Sequence, residues 1–238
     1  MDGFTYSNIF DTKGVEYLAI IAFLLLLIPF WLMLNKQVRI KEQIRKVLGV
    51  LSANILKIPQ GVFYSKNHTW AYLEKSGIAK VGLDDLLLHI TGDVEINQLK
   101  EPGETIQKGA LLAEIKQNGK SLSILSPISG KILKPNSELS VNQKLMKDDP
   151  YGKGWIYDIQ PSDWKAEIPS LYLGEEASAW LNNELVRYKD FLARNMKTFY
   201  PENAMTILQD GGELSDNSLS GFPAQLWNDF ENEFLSLK

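Results

Sequence analysis

Cysteine is absent from all 238 residues of this chain. Disulfide scaffolds, thiolate nucleophiles, cysteine-ligated iron–sulfur clusters and CxxC redox chemistry are therefore excluded. Histidine is scarce as well. His68 and His89 are the two, far apart in sequence, so neither an all-histidine metal site nor a histidine-rich tract exists. An excess of positive charge is also missing: 25 Lys and Arg stand against 29 Asp and Glu, and the net charge of −4 gives no basic field for gripping nucleic acid. The patterns GxSxG, HExxH, GxxxxGK[ST] and GxGxxG do not occur. With so little reactive chemistry, no metal site, no small-molecule substrate and no enzymatic activity are expected. What is present, 45% hydrophobic and 23% charged residues, is enough for a packed core. The length allows one soluble domain with additions, or two small domains.

Charge is missing from one stretch in particular. Residues 18–34 read LAIIAFLLLLIPFWLML, seventeen residues without a charged side chain. Adding 15–17 gives about twenty, the length a helix needs to cross a ~30 Å hydrocarbon core. Pro29 is tolerable in lipid, where water does not compete for the carbonyl it frees. Tyr17 and Trp31 sit near the two ends, where amphipathic rings favour the interface. A buried core helix would carry a polar stripe, which this run lacks. A cleaved signal peptide would begin basic, whereas Asp2, Asp11 and Glu16 outnumber Lys13. The run predicts an uncleaved transmembrane helix over 15–35.

Lys36, Arg39, Lys41, Arg45 and Lys46 follow it, against one acid, Glu42. Positive residues stay inside, so the 1–14 tail is predicted outside and the rest cytoplasmic, as in a single-pass protein of the cell (inner) membrane. Val38, Ile40, Ile44, Leu48 and Leu51 fall near helical spacing. Residues 36–60 are therefore predicted as a basic juxtamembrane helix and linker beside anionic headgroups, closed by Pro59 and Gly61.

Over 61–170 the texture changes to short β-type runs broken by Gly, Pro, Asn and Asp: TWAYL, IAKV, DVEIN, LLAEI, LSIL, GKIL and GWIYDI. Such punctuation predicts an all-β barrel or sandwich, with one short helix over 83–90. EPGETIQKGALLAEI (101–115) and SPISGKILKPNSELSVNQKL (126–145) read as loose half-repeats, two hairpin units packed face to face. In 171–200, Leu181, Leu185, Tyr188, Leu192, Met196 and Phe199 share one helical stripe, which predicts a long amphipathic helix stopped by Pro201. Residues 201–238 form an acidic tail with a loose linker, GGELSDNSLSG (211–221), and a terminal amphipathic helix aligning Leu226, Trp227, Phe230 and Phe234. That pattern suits equally a helix folded onto its own domain and one docked in a groove of another subunit.

Five motifs follow one another: YSKNHTW (64–70), KVGLDDLLLHITGDV (80–94), EPGETIQKG (101–109), SPISGKI (126–132) and DPYGKGWIYDI (149–159). Together they resemble the H protein of the glycine cleavage system, over roughly 62–170. The resemblance implies a mainly β fold, a barrel-sandwich hybrid of the biotinyl/lipoyl-carrier type, with a swinging lipoyl arm on a lysine at a hairpin tip. It covers neither the apolar run nor the C-terminal seventy residues.

The same resemblance places the arm eight residues before the proline of the PxSG motif and sixteen after the glycine of the upstream turn. Counted from Pro127 and from Gly103, both end on Gly119, and the family's glutamate falls on Lys116. Glycine has no amine to acylate. Locally, Gln117-Asn118-Gly119-Lys120 reads as a type I′ hairpin turn, because Asn-Gly supplies two residues at positive φ. Lys120 is the candidate for lipoyl attachment, yet in a two-residue turn it is the first strand residue and points to one face of the sheet. Lys116 is the other nearby amine.

The remaining matched residues read as architecture. His68 and His89 are expected as hydrogen-bonded packing residues. Asp93 and Asp149 are expected to cap turns, and Trp70 and Trp155 to lie in or near the core. The pairs Asp84–Asp85 and Asp148–Asp149 belong to helix starts and loops.

The expected architecture is thus a barrel-sandwich hybrid with an N-terminal transmembrane helix and a C-terminal helical extension. The expected function is a non-catalytic, membrane-anchored, H-protein-like scaffold or adaptor subunit of a membrane-associated complex. The family's lipoate points to a redox or respiratory one. Its partners would be the membrane and protein subunits, with no cofactor. The alternative is a membrane-tethered carrier with lipoate on Lys120, shuttling acyl, aminomethyl or reducing equivalents between enzymes. A secretion-type membrane-fusion adaptor would carry a long coiled-coil hairpin in the domain and face outward, and this sequence agrees with neither.

Overall fold

The computed structural model describes residues 14, 16–32, 50–51, 55–199 and 214–236. The chain divides into two compact units, Met1–Leu48 and Gly49–Lys238. In the first, residues 16–32 form helix α1, which runs through Pro29 with its side chains exposed. Its seventeen described residues, at 1.5 Å each, make about 25 Å. Among the described residues no helix is long and apolar enough to cross a membrane. The transmembrane helix expected over 15–35 is therefore seen as a helix over 16–32 only. Residues 15 and 33–35, the 1–13 tail and most of the basic stretch lie outside the described residues.

The second unit holds the strands β1 (Val50–Leu51), β2 (Phe63–Tyr64), β3 (Thr69–Leu73) and β4 (Ala79–Leu83), then helix α2 (Asp85–Thr91). Next come β5 (Glu95–Gln98), β6 (Thr105–Ile106), β7 (Leu111–Gln117), β8 (Lys120–Leu125) and β9 (Gly130–Pro135). Short helices α3 (Glu138–Val141) and α4 (Leu145–Asp148) precede β10 (Tyr157–Pro161), α5 (Trp164–Glu167) and β11 (Tyr172–Leu173). The long helix α6 (Glu175–Phe199), β12 (Leu214–Ser215) and α7 (Ala224–Phe230), which continues as a π turn through Glu231–Leu235, complete it.

A seven-stranded antiparallel sheet runs in the order β11-β2-β3-β4-β10-β9-β6, and a three-stranded one in the order β5-β7-β8. Both contribute to one hydrophobic core, as a barrel-sandwich hybrid requires. Each of the seven predicted runs overlaps a strand, though DVEIN and GWIYDI begin two and three residues before theirs.

Two glycines set the close packing. Trp70 on β3 faces Gly82 on β4, and a Cβ there would stand 2.7 Å from the indole. Gly130, from the SPISG motif, starts β9 where a Cβ would come within 2.3 Å of the Gln160 carbonyl oxygen.

The departures from the sequence reading are local. The predicted 83–90 helix starts two residues later: Leu83 ends β4, and Asp84 is the N-cap, accepting from the Leu87 N–H at 2.8 Å. Helices α3, α4 and α5 are one turn each, too short to leave a period in the sequence. Val50 and Leu51, read as part of a juxtamembrane helix, instead pair with Ser215 and Leu214. A partner strand some 160 residues away outweighs the local spacing of apolar residues. The predicted 171–200 helix is α6, with Trp180, Leu181, Leu185, Tyr188, Phe191 and Leu192 buried. Within the stretch read as a loose linker, the described residues from Leu214 onward pack on the domain, with Leu219 fully buried.

Candidate functional site

The hairpin between β7 and β8 is as tight as its sequence demands. Gln117 pairs with Lys120, and Asn118 and Gly119 between them have φ of 50° and 77°. Those values are the two positive φ of a type I′ turn. Gln117 braces the tip from behind: its Nε2 donates to the carbonyls of Thr91 at 3.0 Å and Asp93 at 2.7 Å, at the end of α2. Asn118 and Gly119 are exposed. Nothing lies within 4 Å of a Cβ placed on Gly119, so Gly119→Ala is expected to cost only the left-handed backbone penalty, about 1–2 kcal/mol. A urea-unfolding midpoint unchanged by that substitution would show that the turn tolerates an L side chain.

The two amines near the tip have different surroundings. Lys116 is half-exposed, its Nζ 3.3 Å from Glu114. Lys120 is turned onto the C-terminal segment, where its Nζ donates to the carbonyls of Ser220 at 2.6 Å and Phe222 at 3.1 Å. It also lies 4.8 Å from the centre of the Trp227 ring, a cation–π distance. Burial lowers the pKa of this amine.

Both histidines join parts of the chain that are far apart. His68 is fully buried and has φ of 57°, a left-handed backbone that residues other than glycine avoid. Its Nδ1 is 2.8 Å from Asp84 and its Nε2 3.8 Å from Glu184 on α6, and its ring lies against Trp180. Burial alone would lower its pKa. The charge and hydrogen bond of Asp84, helped by Glu184, outweigh that and raise it to about 9. Glu184 is lowered in turn: burial opposes this, but His68 and Arg187 prevail. His89 on α2 has its Nδ1 2.7 Å from Asp216 and its Nε2 3.6 Å from Asp85. Burial again works downward, and the hydrogen bonds to Asp216 and Asp85 carry it up to about 9. Lys147 adds a second cation on Asp216 at 3.2 Å.

Residues 62–184 match the family described as Glycine cleavage H-protein. The chain belongs to that family. It is 31% identical to a probable glycine cleavage system H protein of Pyrococcus abyssi, over 53% of this chain and 94% of that protein. It is 34% identical to the glycine cleavage system H protein of Thermus thermophilus, over 45% of this chain and 84% of that protein. A crystal structure of the glycine cleavage system H protein from Mycobacterium marinum is 27% identical, with a TM-score of 0.46 over 53% of this chain and 99% of that one. Helix α1 and segment 214–236 lie outside the family match.

H proteins carry lipoate, and an amide to lipoate needs a primary amine. Gly119 at the exposed tip has none, and Lys120 is held against two carbonyls and an indole, so the tip does not fit the group at the position the resemblance indicates. The architectural residues are largely where expected. Trp70 is fully buried, and Trp155 is half-buried between Lys80 and Lys134. Asp149 caps the Gly152 and Lys153 N–H groups at 3.1 and 3.0 Å. Asp93 instead offers its backbone carbonyl to Gln117. The sequence reading missed Glu184 and Asp216 as partners of the histidines, and Lys147 as a second cation on Asp216, because no spacing rule links residues 69 to 127 positions apart.

Proposed function

We propose that this chain is a non-catalytic, H-protein-like adaptor, held at a membrane and gathering protein subunits of a membrane-associated redox or respiratory complex. One observation carries the reading. The hairpin that would present a carrier arm ends in a tight Asn118-Gly119 turn, and its neighbouring amine is drawn onto Ser220, Phe222 and Trp227. Membrane attachment is supported by the exposed apolar side chains of α1 and by the uncharged run that continues to Leu34, with five basic residues behind it. The positive-inside rule then places the H-protein-like domain in the cytoplasm.

Intact-mass measurement on protein extracted from its own cells tests this. The expected result is recovery in the detergent extract of the membranes, at the mass of the bare polypeptide. A lipoyl increment that Lys120→Ala abolishes would overturn the adaptor reading in favour of a tethered carrier.

A further inference from the structure

Segment 214–236 lies in a groove of its own domain, walled by β8, the C-terminal end of α2 and the inner face of α6. Leu226, Trp227, Phe230 and Phe234 are all buried there. Phe230 and Phe234 pack edge-on to Tyr188 and Phe191 of α6, and the Trp227 Nε1 donates to the Leu219 carbonyl at 2.9 Å. The segment also answers backbone groups that the walls leave open. The Asn217 and Leu219 N–H groups donate to the His89 and Ile90 carbonyls at 2.7 and 3.0 Å, near the end of α2, where carbonyls lack intrahelical partners. β8 is an edge of the three-stranded sheet, and its Ser123 N–H donates to Glu231 at 3.3 Å.

We propose that this groove is a receptor site for an amphipathic helix with aromatic residues at i, i+3 and i+7, occupied in cis by Trp227, Phe230 and Phe234, and that a partner helix of the same pattern displaces them. The cis occupant itself defines the ligand's chemistry, and the buried aromatic stripe follows the helix-in-groove mode. Several of its polar ties sit at the rim: Asp216 to His89 and Lys147, Glu233 to Arg194, and the Ser220 and Phe222 carbonyls to Lys120. Two lie deeper, the Asn67 Nδ2 donating to the Leu235 carbonyl at 2.7 Å and the Tyr188 hydroxyl meeting the Ser218 hydroxyl at 2.9 Å. The β8 and α2 walls lie within residues 62–184, which match the family, whereas the occupant does not. The inference stands whether or not the hairpin carries cargo, so it does not depend on the adaptor reading.

The test uses the full chain in wild-type form and in two opened forms, His89→Gln/Asp216→Asn and Trp227→Ala. Fluorescence anisotropy would follow a labelled synthetic peptide of residues 214–236. Saturable binding is expected to at least one opened form, tenfold or more tighter than to wild type. A peptide carrying Trp227→Ala and Phe230→Ala should lose at least tenfold. No saturable binding to either opened form, or equal binding of the two peptides, would overturn the proposal.

Discussion

Trp227→Ala is expected to release segment 214–236 while leaving the β-sandwich folded. The side chain is fully buried, and its removal takes away an indole packed beside Lys120 and a donor to the Leu219 carbonyl. Truncating a buried tryptophan costs about 3–5 kcal/mol. The loss falls on a segment whose opening is local, so amide hydrogen exchange over 214–236 should quicken at least a hundredfold. The amides of β3, β4 and β10 should keep their protection. Protection in 214–236 changed by less than tenfold would show that the rim contacts, not the aromatic face, hold the segment.

Raising the pH from 6.5 to 10 is expected to loosen the same region and α6. The folded pKa values of His68 and His89, about 9, lie above the ordinary histidine value of about 6.5. The contribution of each is therefore complete below about pH 6.5 and is lost as the pH rises through about 9. A shift of that size is worth roughly 3 kcal/mol per histidine. The groups facing His68 are Asp84 and Glu184, with Arg187 on Glu184; those facing His89 are Asp85 and Asp216, with Lys147 on Asp216. Lys120, whose pKa burial lowers, gives a pH dependence of the opposite sign. Urea midpoints measured across this range should fall, and His68→Gln and His89→Gln should each flatten the fall. A wild-type midpoint that stays level up to pH 10, with the His68→Gln and His89→Gln profiles parallel to it, would show that neither imidazole is charged in the folded protein.

What could be read from the sequence follows the range of the interactions concerned. The Asn118-Gly119 turn was legible because its geometry is set by two adjacent residues, and α6 because its buried face repeats every turn. The fate of Lys120 was not legible, since its partners Ser220 and Phe222 are 100 and 102 residues away. The terminal helix shows the same limit. Its aromatic stripe announces that something must cover it, yet amphipathicity does not say whose surface that is. Helix α1 illustrates the converse. A run of apolar residues states what the side chains avoid, while the length over which the helix extends depends on both of its ends.

The two-residue pairing of β1 with β12 ties the start of the domain to its last segment. Val50 and Leu51 pair with Ser215 and Leu214, and Leu51 is in addition buried in the hydrophobic core. When segment 214–236 leaves its groove, both residues lose their strand partners and core packing of Leu51 alone holds the start of the domain. A ligand that empties the groove would thereby also unfasten the first strand of the domain, at the opposite end of its sequence.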